Sequence, residues 1–151
     1  MKSKILFSIA LVTLFISCKK ETATTPTVII EKPKPSRDVC YAYDLRGSKI
    51  ELQLHYISDS DSITGTLNFA FAEKDSNKGT IKGKVTDENL IADYTFQSEG
   101  MQSVRQVAFK LKDNKATLGY GEMTSDGTHF KNVTTVKFDS GVSLTKEDCV
   151  K

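Results

Sequence analysis

The longer, C-terminal part of this chain is expected to form a single antiparallel up-and-down β-barrel. About eight strands fit, with a disulfide closing the domain. Three observations point there: apolar residues recur with a period of two from Ile50 onward, clusters of Asp, Asn and Gly separate the runs at near-regular spacing, and several glycines sit inside the runs. A period of two marks a half-buried strand, because successive side chains leave opposite faces of a sheet.

The runs follow in order. A short first strand surrounds Cys40. In the second, Ile50, Leu52, Leu54 and Tyr56 alternate with Glu51, Gln53 and His55. The third places Ile63, Gly65, Leu67, Phe69 and Phe71 on one phase, and the fourth does so with Gly79, Ile81, Gly83 and Val85. Leu90, Ala92, Tyr94 and Phe96 define the fifth, and Val107, Phe109 and Leu111 the sixth. Gly119 and Gly121 lie within a further run, and the alternation recurs from Phe130 to Phe138. Between the runs stand Asp59-Ser60-Asp61-Ser62, Asp75-Ser76-Asn77-Lys78-Gly79, Asp87-Glu88-Asn89, Glu99-Gly100, Asp113-Asn114-Lys115 and Ser125-Asp126-Gly127. These residue types tolerate the positive φ that tight hairpins need. A meander of eight strands can close on itself and so remove its exposed edges; an open sandwich is the other arrangement. Glycine weakens an ordinary strand, so Gly65, Gly83, Gly119 and Gly121 favour closure, where tight bends are needed.

The N-terminus has a different character. Lys2 and Lys4 precede an apolar stretch from Ile5 to Ile16, well short of the ~20 residues that span a bilayer. That is the layout of a signal peptide. Its end, Phe15-Ile16-Ser17-Cys18, resembles the lipobox of bacterial lipoproteins. The resemblance implies a diacylglycerol (palmitate-type acyl chains) on the Cys18 thiol and cleavage between Ser17 and Cys18. Two or more acyl chains hold a protein on a membrane effectively permanently. Lys19-Lys20-Glu21 is similar to the charged tract that follows the lipidated Cys in surface-exposed lipoproteins of the Bacteroidetes. From Glu21 to Ser36 the chain is rich in Thr, Pro, Lys and Glu, with Pro26, Pro33 and Pro35, and reads as an extended tether with a reach of roughly 50 Å. The expected organisation is a signal peptide over 1–17, a lipidated Cys and flexible tether over 18–36, and a barrel over 37–151.

Charge excludes one class of partner. The whole chain carries 21 Lys+Arg and 19 Asp+Glu, and loss of Lys2 and Lys4 leaves 19 against 19. From Arg37 onward there are 15 basic and 17 acidic residues, a net charge of 15 − 17 = −2. A nucleic-acid binder needs a basic patch, and none is present.

With Cys18 acylated, Cys40 and Cys149 remain. An even number in an exported chain argues for a disulfide, and the first and last strands of an eight-stranded barrel are neighbours. The chain-entropy model gives such a long loop on the order of 4–5 kcal/mol. Metal ligation or a free thiol would be the alternatives, but there is no CxxC spacing and no adjacent His.

Motifs for other chemistry are sparse. His55 and His129, the two histidines, fall on the polar phase and read as surface residues; no H-x-H or HExxH occurs. Asp59-Ser60-Asp61 begins like a calcium loop, but Ile63, Thr64 and Ala70 occupy positions that need an oxygen ligand, a Gly and a Glu. No G-x-S-x-G elbow is present. No metal or cofactor is therefore expected. Asp93, Glu99, Arg105 and Tyr120 are candidates to line a polar mouth of the barrel. The plainer reading makes Glu99 and Arg105 an ion pair across a hairpin, worth ~0.2–1 kcal/mol. Asp61-Ser62-Ile63 resembles the O-glycosylation sequon of Bacteroidetes exported proteins, with Ser62 as acceptor.

Cys40-Tyr41, the stretch Leu90 to Phe96, Glu99-Gly100, Ser103-Val104-Arg105 and the final Cys149 resemble a group of small Bacteroidetes cell-envelope lipoproteins of unassigned function. The resemblance implies an envelope location and supplies no catalytic residues. In architecture alone, lipid-anchored lysozyme inhibitors are also similar. The expected function is a non-catalytic binding or interaction module, monomeric, held by lipid at the outer membrane, with an unknown protein or a small apolar ligand as partner. A lipocalin-like carrier of a small apolar ligand and an inhibitor of an envelope-active hydrolase are the alternatives. The inward phase carries Phe69, Phe71, Tyr94, Phe96, Phe109 and Tyr120, and eight strands leave little room beyond side chains. A cavity lined by these aromatics would favour the carrier; a filled interior would oppose it.

Overall fold

The structure, a computed structural model, describes residues 37–72, 76–98 and 100–149. The signal segment, Cys18 and the tether lie outside them. Eight strands run in chain order: β1 (Arg37–Leu45), β2 (Ser48–Tyr56), β3 (Ser62–Ala70), β4 (Asn77–Thr86), β5 (Asn89–Ser98), β6 (Met101–Lys112), β7 (Lys115–Leu118) and β8 (Ser143–Glu147). Each pairs antiparallel with the next, and β8 pairs back onto β1, so the sheet closes into a barrel. The closing seam is short: Cys40, Tyr41 and Ala42 face Glu147, Lys146 and Thr145. A disulfide ties Cys40, at the end of this seam, to Cys149 just past Glu147, with Cα atoms 5.2 Å apart.

Three hairpins whose turns lie wholly within the described residues turn in two residues. Arg46 and Gly47 have φ of 52° and 79°, Asp87 and Glu88 of 47° and 69°, and Asp113 and Asn114 of 51° and 60°. Positive φ at both central positions matches the right-handed twist of the flanking strands. Asp and Asn accept it readily, whereas Glu88 does so against its preference.

The inward phase makes the core. Ile50, Leu54, Ile63, Leu67, Leu90, Phe109 and Leu144 are fully buried, and Val39, Tyr41, Leu52, Ile81 and Tyr94 join them. The barrel is thus filled with side chains along most of its length, as a small barrel should be. Strand glycines let it curl. A Cβ at Gly83 would collide with the Ile91 carbonyl oxygen and lie 2.5 Å from Ala92 Cα.

One expected strand is absent. The alternating run from Phe130 to Phe138 is part of the β7–β8 connection, and the eighth strand is Ser143–Glu147, whose single large apolar residue is Leu144. Within the connection Val133–Thr135 forms a 3-10 turn. Its cap is Asn132, whose Oδ1 accepts from the Thr134 N–H at 2.9 Å and from the Thr134 hydroxyl at 2.8 Å. The run is apolar for another reason: Val136 and Phe138 pack over the backbone of Gly119, and Phe130 and Val136 flank Gly121.

Strand lengths explain why the connection is long. β6 has twelve residues, but β7 has only four and covers Phe109 to Lys112. The rest of that β6 edge needs partners, since unpaired backbone groups are costly when buried. The connection supplies them: Ala108 O accepts from Gly119 N–H at 2.8 Å, and Gln106 N–H donates to Thr128 O at 2.6 Å.

Candidate functional site

The mismatch between long β5 and β6 and short β7 and β8 leaves the barrel open at one end. At that end β1, β3, β5 and β7 finish and the β7–β8 connection begins. There a pocket of about 340 Å³ opens to solvent. Phe69 from the end of β3, Phe71 just past it, Tyr94 and Phe96 from β5, Arg105 and Val107 from β6, and Leu118 from β7 line it. The connection adds Tyr120, Met123 and Phe130 as the far wall.

The aromatic rings form a continuous group. Phe71 stacks on Phe69 at 5.7 Å, Phe69 meets Tyr94 edge-on at 5.8 Å, and Tyr94 stacks on Phe96 at 4.7 Å. These geometries suit the quadrupoles of aromatic rings. Tyr94 is fixed further by donating its hydroxyl to the Asn77 carbonyl at 2.8 Å. Burial pushes its pKa up to about 12, so the phenol stays neutral at any physiological pH.

The far wall is also tied down. Gln106 Oε1 accepts from Phe130 N–H at 3.1 Å. Between Met123 and Phe130, the Asp126 carboxylate accepts from the Thr124 hydroxyl at 2.6 Å and from the Thr128 hydroxyl and N–H at 2.9 and 3.1 Å. Those bonds, the Thr124 hydroxyl foremost, hold the Asp126 pKa down to about 2. Lys131 pairs with Glu122 outside this turn.

Around the opening runs an apolar rim. Leu45, Phe71, Met101 and Tyr120 continue the inward phase past the closed part of the barrel and are 53, 39, 71 and 49% exposed. Phe71 and Tyr120, expected inside with the other aromatics, therefore stand at the lip, because the strands that would cover them have ended.

The residues expected at a polar mouth divide. Arg105 and Tyr120 line the pocket. Asp93 does not: it lies on the outward phase of β5, between inward Ala92 and Tyr94, and its Oδ1 stands 3.7 Å from His129 Nε2. Glu99 lies outside the described residues, and Arg105 sits opposite Tyr94 in the β5–β6 register. Tyr120 has its pKa raised by a hydrogen bond with Asp139, then by burial and the Asp139 charge. Ser62 opens β3, its N–H donating to Ser60 Oγ at 3.0 Å, inside the hairpin turn that replaces a calcium loop. His55 is a surface residue, with Nδ1 2.7 Å from Asp38 Oδ1. Among the described residues no cluster of three or more His, Cys, Asp or Glu side chains could hold a metal.

Comparison with known proteins places no relative beside this site. The chain matches no protein-family model, no curated protein and no solved structure.

Sequence reasoning did not find Met123 and Phe130, which reach the site through the β7–β8 connection. The signal was Gly119-Tyr120-Gly121. Two glycines around an aromatic mark backbone that must be approached closely, here by Phe138, Val136 and Phe130.

Proposed function

We propose that this protein is a lipid-anchored lipoprotein of the cell envelope, held through Cys18 at the outer membrane, whose barrel binds a small apolar ligand at its mouth without transforming it. The observation that carries the binding reading is the pocket of about 340 Å³ lined by the Phe69, Phe71, Tyr94 and Phe96 rings. Its size falls at the small end of the ~300–1,000 Å³ range of small-molecule sites, and its lining is of the usual apolar kind with few polar groups. A filled barrel below the pocket sets the depth a ligand can reach. A carried ligand would thus sit at the mouth and not in the barrel interior, which core side chains fill.

The lipoprotein part of the reading rests on Phe15-Ile16-Ser17-Cys18 and on the likeness of residues 40–149 to small Bacteroidetes lipoproteins. A protein partner seated on the exposed rim of Leu45, Phe71, Met101 and Tyr120 is the second reading, supported by that rim's exposure.

The neutral fluorescent probe N-phenyl-1-naphthylamine tests the site. Saturable one-to-one fluorescence enhancement is expected, weakened about threefold to tenfold in Phe71→Ala, the worth of one aromatic contact. Phe71 is exposed at the lip, so the variant keeps its fold. Absence of saturable enhancement in the unaltered protein would refute the reading.

A further inference from the structure

We infer that the mouth pocket selects amphipathic anions: a small ligand with an apolar body and one carboxylate, the carboxylate held by Arg105. The inference rests on the reading of the mouth as a ligand site and adds the ligand's charge.

Arg105 is the one charged side chain among the described residues that line the pocket. It stands opposite Tyr94 across the β5–β6 pairing, on the same phase as buried Val107 and Phe109, so the strand aims it at the opening rather than at the outer surface. Among the described residues it forms no ion pair; carboxylates of the far-wall segment are engaged elsewhere, Asp126 with Thr124 and Thr128, Glu122 with Lys131 and Asp139 with Tyr120. A guanidinium offers a planar fork of donors that matches a carboxylate in bidentate geometry. The residues from Arg37 onward carry a net charge of 15 − 17 = −2, so attraction of an anion to this point is local to Arg105 and not a property of the whole surface. An apolar wall with a single cation at its edge fits a ligand of the same polarity: rings or alkyl carbons against Phe69, Tyr94 and Phe96, and the charge at the lip beside water.

The matched pair 2-naphthoate and 2-naphthalenemethanol separates charge from shape. Each is titrated calorimetrically into the whole chain carrying Cys18→Ala, so that no acyl chain competes for the pocket. The acid is expected to bind about tenfold more tightly than the alcohol, the worth of a partly solvated charge-assisted contact. Arg105→Gln should remove that preference, so that the acid binds no more tightly than the alcohol, and added salt should weaken the acid alone in the unaltered pocket. Equal binding of acid and alcohol to the unaltered pocket would overturn the anion inference while leaving the ligand site standing. A preference that survives Arg105→Gln would overturn the assignment to Arg105. Heat from neither ligand would overturn the site itself. Near-ultraviolet circular dichroism of Arg105→Gln, an exposed position, verifies that its fold is intact.

Discussion

Removing the Cys40–Cys149 bridge tests how the barrel closes. β8 meets β1 through three registered pairs and β7 through three, and supplies one fully buried side chain, Leu144. That is a thin seam for a strand that must shut the sheet. The bridge spans a sequence separation of 109 residues. The chain-entropy expression, −2.1 − 1.5R ln n, gives about 16 cal/mol/K for a loop of that length, or about 5 kcal/mol at 25 °C. A domain of this size has a total stability of only about 5–15 kcal/mol. In the double variant Cys40→Ser/Cys149→Ser, the urea midpoint should therefore fall by about 2–5 M for an m-value of ~1–3 kcal/mol/M. Amide exchange should quicken first at Tyr41 and Lys146, where the seam is thinnest. A loss below about 1 kcal/mol, with m unchanged and Tyr41 still protected, would refute the argument. The seam would then be closed by strand pairing and Leu144 alone.

Other consequences follow from single positions. Gly83→Ala puts a methyl against the Ile91 carbonyl and should cost about 1–3 kcal/mol or more of stability in urea unfolding; a neutral result would mean the β4–β5 pairing yields there. Glu88→Gly relieves a φ of 69° and should raise stability by about 0.5–1 kcal/mol, read from the same midpoint. Tyr94→Phe removes the bond to the Asn77 carbonyl and should cost about 1 kcal/mol near neutral pH. Because burial raises the folded pKa of Tyr94 from 10.0 to about 12, the folded state holds more protons between those values. Its contribution is full below pH 10 and is lost as pH rises toward 12. The alkaline decline in stability should be shallower in Tyr94→Phe, and an identical slope would contradict the assignment.

Most of the barrel was legible because its first six strands obey one local rule. Ile50 to Tyr56 or Leu90 to Phe96 alternate cleanly, since one face meets the core and the other water. The turns Asp87-Glu88 and Asp113-Asn114 announced themselves by residue type, and the disulfide by the pairing of the two cysteines left over. Failure came after β6. Phe130 to Phe138 alternates as a strand does, yet its apolar residues answer to Gly119 and Gly121 across the connection, a tertiary contact that periodicity cannot see. β8 was missed because Ser-Leu-Thr-Lys-Glu has one buried side chain and owes its place to pairing with β1 and β7. The site suffered the same limit. Its aromatics were visible as an inward phase, but whether that phase encloses side chains or a ligand depends on where each strand stops. Arg105 and Tyr120 line the pocket; Asp93 does not, and the sequence already carried the reason, since it alternates with inward Ala92 and Tyr94 and so turns outward to His129.

In the native protein the mouth pocket should hold a small ligand. Native mass spectrometry of the protein purified, non-reduced, from its own host tests this most directly. One small-molecule adduct per chain is expected, released on unfolding and displaced by added 2-naphthoate. A bare protein mass that no apolar probe alters would contradict it.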